Sequence, residues 1–173
     1  MSGKGLKLTT EEIIDSYADM VYRIAVNEMG SKFDAEDVFQ DVFLRLVKYR
    51  DRIESEEHLK AWLIRVTINC ARKRHTSAWN KRMVSMTEEI QDMTQDEGAV
   101  AEYEKAEGDG SPVYEAVAKL PEKYRIVIYL FYYEELSIVQ IGEILGEKES
   151  TIKSRLHRAR EILKIGLKGE DVL

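Results

Sequence analysis

Proline occupies only two of the 173 positions, Pro112 and Pro121. Because proline removes a backbone donor and clashes with the preceding turn, its absence ahead of residue 112 leaves that stretch free to form long helices. The composition agrees. Hydrophobic residues make up 44% of the chain and charged residues 34%, the mixture expected of amphipathic helices that bury one face and solvate the other. An all-α protein is predicted, of a size for one domain or two small ones.

The helices can be placed by their caps and stripes. "TTEEIIDSYADMVYRIAVNEMG" opens with Thr9 and Glu12 at capping-box spacing and stops at Gly30, with Ile13, Tyr17, Val21, Ile24 and Ala25 at helical intervals. A second helix is predicted after Asp34, with the stripe Val38, Phe39, Val42, Phe43, Leu46 and Val47. After the charged turn "RDRIESEEH", a third begins near Leu59 and runs through "KAWLIRVTINCARKRH". These make an N-terminal bundle. "TEEIQDMTQDEGAVAEYEKAEGDGSP" is acidic, poor in large apolar residues and ends in a breaker run, so it reads as a linker. "PVYEAVAKL" and "PEKYRIVIYLFYYEEL" follow as helices, with Pro121 in a first turn. The expected division is an N-terminal domain over residues 1–86, an acidic flexible linker over 87–112 and a C-terminal domain over 113–173.

The net charge of −6 weighs against nucleic acid only if it is spread evenly. It is not. From Lys60 to Thr87 there are seven Lys and Arg residues and no Asp or Glu; from Glu88 to Gly110 nine acids face one Lys105; from Lys148 onward the chain turns basic again. The single cysteine, Cys70, rules out an intrachain disulfide and a Cys-rich zinc site, and suits an intracellular home. No apolar run approaches the ~18 residues needed to span a bilayer, so a soluble, cytoplasmic protein with no membrane insertion is expected. There is no P-loop, no G-x-G-x-x-G and no metal-spaced cluster, and Cys70 lacks a catalytic partner nearby. No cofactor, metal or enzymatic activity is expected.

The sharpest motif is C-terminal. Ser137 and Gln140 form a second capping box, Ile138, Ile141, Ile144 and Leu145 give a short amphipathic helix, and Gly146 ends it. A second helix follows with Ile152, Leu156, Ala159 and Leu163 on one side. This is a helix-turn-helix pattern. Opposite the stripe lie Ser150, Ser154, His157, Arg158 and Glu161, flanked by Thr151, Lys153 and Arg155. Short donors and acceptors in the first turns, with cations further along, suit a helix lying in the major groove. An isolated basic face is more often merely solvated; the helix-glycine-helix context favours DNA.

Two N-terminal faces also point to binding. In "AWLIRVTINCARKRHT" Leu63, Val66, Cys70 and Ala71 share one side, while Arg65, Asn69, Arg72 and Thr76 share the other, with Trp62 and Lys73 at its margin. Asn pairs with base edges, Arg neutralises phosphate and an aromatic ring stacks on an exposed base, a set suited to an opened strand as well as a duplex. The plain alternative puts Trp62 in the core. On the second helix Asp37, Gln40, Asp41, Arg45 and Lys48 surround Leu44 opposite the apolar stripe, a pattern suited to protein docking.

Together these motifs resemble the extracytoplasmic-function (ECF) sigma factors of bacterial RNA polymerase over nearly the whole chain. "DAEDVFQDVFLRLVKY" resembles the region 2.2 helix, "LKAWLIRVTINCARKR" regions 2.3 and 2.4, and "LPEKYRIVIYLFYYEELSIVQIGEILGEKESTIKSRLHRARE" region 4. The resemblance implies that the helix with Leu44 docks on the β′ clamp helices of core RNA polymerase, with the β subunit as a further partner. It implies that Trp62, Arg65, Asn69, Arg72, Lys73 and Thr76 act on the melted −10 element, with the "RDRIESEEH" loop holding an unstacked base. The helix from Glu149 would read the duplex −35 element, the linker would run through the polymerase's positively charged channel, and an anti-sigma factor would be a partner. Two positions depart from the pattern: Lys148 stands where the family often has a Ser N-cap, and "RKRHTSAWNKRM" lacks the acid often found after the region 2.3 Asn. A helix-turn-helix regulator acting without polymerase is the rival reading, and a helical adaptor comes third.

Overall fold

The structure is a computed structural model in which residues 5–85 and 112–169 are described. The acidic segment expected as a linker lies outside the described residues except for Pro112. The chain divides into two compact units, Met1–Gln95 and Asp96–Leu173. Among the described residues every regular element is helical.

The first unit holds α1 (Thr10–Met29), α2 (Lys32–Tyr49) and α3 (Glu56–Ser85), each packed on the other two. Thr9 caps α1 through the expected capping box and Gly30 closes it in the left-handed conformation. α2 starts at Lys32, two residues ahead of Asp34, because the Ser31 hydroxyl accepts from the Asp34 N–H at 3.4 Å. α3 likewise begins at Glu56 rather than near Leu59: Ser55 accepts from the His58 N–H through its hydroxyl and from the Leu59 N–H through its carbonyl. Between them a short 3₁₀ turn, Arg50–Arg52, leads to Ile53, whose side chain is buried. The core joins Ile13, Val21 and Ile24 of α1 to Val38, Val42 and Leu46 of α2 and Leu59, Leu63, Ile64 and Ile68 of α3.

The second unit holds α4 (Pro112–Ala118), α5 (Glu122–Ile128), α6 (Ile138–Leu145) and α7 (Glu149–Gly169). Pro121 is the N-cap of α5 rather than a first-turn residue: its extended backbone presents the carbonyl to the Tyr124 and Arg125 N–H groups. α5 continues as a π-helical turn over Tyr129–Tyr133, closed by the Glu134 N–H donating to the Tyr129 carbonyl at 3.2 Å. This turn buries Tyr129 and Leu130 and leaves Tyr132 and Tyr133 exposed. The Arg125 guanidinium reaches back to the Ala118 and Leu120 carbonyls, satisfying acceptors freed where α4 ends.

α6 and α7 form the helix-turn-helix. Ser137 and Gln140 make the capping box, and Gly146 turns the chain at φ 70°, where an L side chain is strained. Gly142 meets a different demand. A Cβ there would lie 2.8 Å from the Glu147 carbonyl oxygen, which belongs to the backbone and cannot rotate away. Gly142→Ala gains about 0.5–1 kcal/mol of helix propensity, but forcing the turn open costs roughly 1–3 kcal/mol. A net fall in thermal stability is therefore expected, read by calorimetry; a higher melting temperature would show that the turn yields without cost.

Candidate nucleic-acid and polymerase interfaces

α3 separates its two sides as its sequence requires. Leu63, Ile64, Ile68, Cys70 and Ala71 are buried against α1 and α2, while Arg65, Asn69, Arg72, Lys73 and Thr76 are exposed. Four of these, Arg65, Asn69, Arg72 and Thr76, advance by four, three and four residues and so form one stripe along the helix. The Thr76 hydroxyl donates back to the Arg72 carbonyl at 3.0 Å, leaving its lone pairs turned outward. Trp62 takes an intermediate place: it is half-buried, and its ring stacks on Tyr49 at 5.1 Å between centroids and 6° between planes. The Arg52 guanidinium lies 5.7 Å from the centroid of that same Tyr49 ring, so an aromatic and cationic group marks the start of the basic face. Cys70 is core, as expected, and burial pushes its thiol pKa up, away from the reactive thiolate.

On α2, Leu44 is 64% exposed and has apolar company. Phe33 is 73% exposed and Val47 61%, so Phe33, Leu44 and Val47 line the outer side of the helix with Asp37 and Gln40 between them, at successive intervals of four, three, four and three. Val47 therefore leaves the buried stripe in which its sequence placed it. The bundle covers only the sector of Val38, Val42, Phe43 and Leu46. Phe33 escaped notice because it precedes the expected helix start; the Ser31 cap was the signal that could have found it. Gln40, Asp41, Arg45 and Lys48 are exposed around Leu44, whereas Asp37 is half-buried and its carboxylate accepts from Arg74 Nη2 at 2.6 Å. Arg74, counted among the basic block by its sequence, is thus held by Asp37 and by Asp34 at 3.2 Å.

In the second unit Ile152, Leu156 and Ala159 of α7 are buried on α5 and α6, which turns Ser150, Lys153, Ser154, His157 and Arg158 outward. Thr151 is half-buried. Arg155 is half-buried too, paired with Glu147 in the turn at 3.2 Å, so it braces the turn as well as flanking the exposed face. Glu161 accepts from both His157 at 3.1 Å and Arg158 at 3.3 Å. The Ile152 N–H donates to the Lys148 carbonyl at 3.1 Å, at the position where the family often has a Ser N-cap. Arg160 lies over the Phe131 and Tyr132 rings and donates to the Tyr132 hydroxyl at 2.8 Å, tying α7 to the π-helical turn.

A helix-turn-helix with a polar, basic outer face in one unit, and a basic helix and a partly apolar exposed face in the other, are the features expected of a DNA-binding protein with a protein partner. Comparison with known proteins narrows the class. Residues 13–81 match the family model described as Sigma-70 region 2, and residues 111–163 match Sigma-70, region 4. The chain is 33% identical over 172 residues to the ECF RNA polymerase sigma factor SigW of Bacillus subtilis, covering 93% of this chain and 90% of that protein. It is 32% identical over 156 residues to the ECF sigma factor SigL of Mycobacterium tuberculosis, covering 90% of this chain and 86% of SigL. Its fold is shared with the sigma factor RpoE of Bartonella quintana, solved in complex with the anti-sigma factor NepR, with a TM-score of 0.69 at 21% identity over 91% of this chain and 96% of that one. The chain belongs to the ECF sigma factors of bacterial RNA polymerase.

Proposed function

We propose that the two units divide the work of an ECF sigma subunit, a non-catalytic initiation factor that binds core RNA polymerase and directs it to promoters in the cytoplasm. The exposed side of α2, from Asp37 through Gln40, Asp41, Leu44 and Arg45 to Lys48 and extended by Phe33 and Val47, docks on the β′ clamp helices. Trp62, Arg65, Asn69, Arg72, Lys73 and Thr76 of α3 open and hold the −10 element. Ser150, Thr151, Lys153, Ser154, Arg155, His157 and Arg158 of α7 meet the −35 duplex. The acidic stretch 87–112 joins the units and occupies the polymerase's positively charged channel, and an anti-sigma factor covers these surfaces when the protein is held inactive.

The observation that carries this reading is the first unit's pairing of two exposed faces on adjacent helices, one acid-free and basic, the other partly apolar. A regulator acting without polymerase, whose N-terminal domain binds a ligand or dimerises, would use the second face for self-association and has no opened strand for the first. The decisive experiment adds the purified protein to core polymerase and maps transcription starts; initiation at a defined promoter supports the reading, whereas promoter binding unaffected by polymerase favours the rival regulator. The α7 face then divides by chemistry. Arg158, late in the helix, is an anchor, and Arg158→Ala should weaken all −35 sequences alike and lower the log–log salt slope by about one. Lys153 lies where side chains reach base edges, so Lys153→Ala should change which −35 base is preferred by roughly 1–3 kcal/mol. Competition binding over single-base variants at two salt concentrations separates them, and a uniform loss from Lys153→Ala would reduce it to a phosphate contact.

A further inference from the structure

Ala71 is the last buried residue of α3 among those described. From Arg72 to Ser77 each residue is polar and either exposed or half-buried, so no buried apolar side chain within this stretch anchors it to the bundle. Yet Arg72, Lys73 and Thr76, half of the proposed −10 face, lie on it. Two consecutive side chains make the attachment instead. Arg74 donates to Asp34 Oδ1 from Nε and Nη2, at 3.2 Å each, and to Asp37 Oδ2 from Nη2 at 2.6 Å, gripping α2. His75 Nε2 lies 2.6 Å from the Glu28 carbonyl oxygen near the end of α1. A carbonyl only accepts, so that ring nitrogen carries the proton.

The geometry points to Arg74 and His75 as positioning residues: a polar clasp that sets the direction of α3 beyond the core and so aims Arg72, Lys73 and Thr76 at the opened strand. The inference rests on the reading of α3 as the −10 helix. The clasp grips two different helices, which fixes two directions of tilt, and the planar guanidinium fork constrains angle as a point charge does not. The leverage is appreciable. Thr76 lies five residues past Ala71, about 7.5 Å along the axis, so a tilt of ~10° displaces it by ~1.3 Å, enough to part a hydrogen bond. The Arg74 side chain is 40% exposed and its partners similarly so, and ion pairs this wet contribute little to folding. Their effect is on direction.

The test uses full-length Arg74→Ala, Arg74→Lys and His75→Ala, each alone and combined with Arg72→Ala, assembled with core polymerase. Promoter opening is followed by permanganate reactivity, and core affinity and thermal unfolding are measured alongside. With core polymerase saturating, Arg74→Ala should slow opening about tenfold and Arg74→Lys should restore only part of the rate, while His75→Ala, whose partner lies outside the docking surface, should slow opening with core affinity changed less than about threefold. If the clasp acts by aiming Arg72, the cost of Arg72→Ala shrinks in either clasp-deficient background, because a misdirected side chain has less to lose. Additive losses would overturn the clasp while sparing the −10 reading. An Arg72→Ala protein that opens promoters normally would overturn both. Should Arg74→Ala fail to fold, the His75→Ala cycle gives the same comparison.

Discussion

Replacing Leu44 and Val47 together by aspartate is expected to lower affinity for core RNA polymerase at least a hundredfold while leaving the helical bundle folded. Each side chain is more than 60% exposed in the free chain, so little packing is lost by changing it. Docking would bury both, and burial of a large aliphatic side chain contributes roughly 1.5–3 kcal/mol. A carboxylate forced into the same place adds a desolvation cost. Two such losses sum to about 3–6 kcal/mol before any coupling between neighbours. Fluorescence titration against core polymerase, with circular dichroism as the control for folding, gives the answer. Unchanged core affinity with an unchanged spectrum would remove the outer side of α2 from the interface.

The second large effect belongs to α3. A protein carrying Arg65→Ala and Asn69→Ala should still assemble with core polymerase but open its promoter at about one hundredth of the normal rate, since each base or phosphate contact contributes roughly 1–3 kcal/mol. Both positions lie on the exposed stripe, away from the buried Leu63, Ile64 and Ile68, and circular dichroism serves as the control for folding. Permanganate reactivity of the promoter bubble reports opening, and a titration with core reports assembly. Normal melting would remove Arg65 and Asn69 from the −10 contact, and failed assembly would mean that this side of α3 faces the polymerase instead.

What could be read from the sequence was what local chemistry determines. Thr9 with Glu12, Ser137 with Gln140, and the glycines at 30 and 146 mark helix ends by bonds that reach three or four residues, and all four appear where the spacing put them. Of the stripe Ile152, Leu156, Ala159 and Leu163 the first three are buried, because one narrow apolar sector admits one orientation, and Leu163 is half-buried. α2 was harder. Its apolar residues spread over more than one sector, and periodicity does not say which sector the bundle covers, so Val47 reads as core, while Phe33 lies ahead of the helix start that the sequence suggests. Arg74 illustrates the other limit. Its partners stand 37 and 40 residues away in sequence, so a residue that its sequence counts in the basic block is committed to two aspartates. The Tyr49–Trp62 stack is of the same kind: thirteen residues separate rings that only the meeting of α2 and α3 brings together.

The π-helical turn at Tyr129–Tyr133 carries one residue more than an ordinary helical turn would need. An α-helix turns about 100° per residue, so the extra residue works as a gear tooth between the buried Tyr129–Leu130 pair and the exposed tyrosines beyond. Shortening the chain by a single residue there would leave the core side seated and swing Tyr132 around the axis, away from Arg160, and Tyr133 off the Tyr129 ring. The outer surface of this unit can therefore be redrawn by a change of length alone, with every side chain keeping its chemical identity. A single-codon deletion or insertion could thus alter what the surface recognises more abruptly than most substitutions.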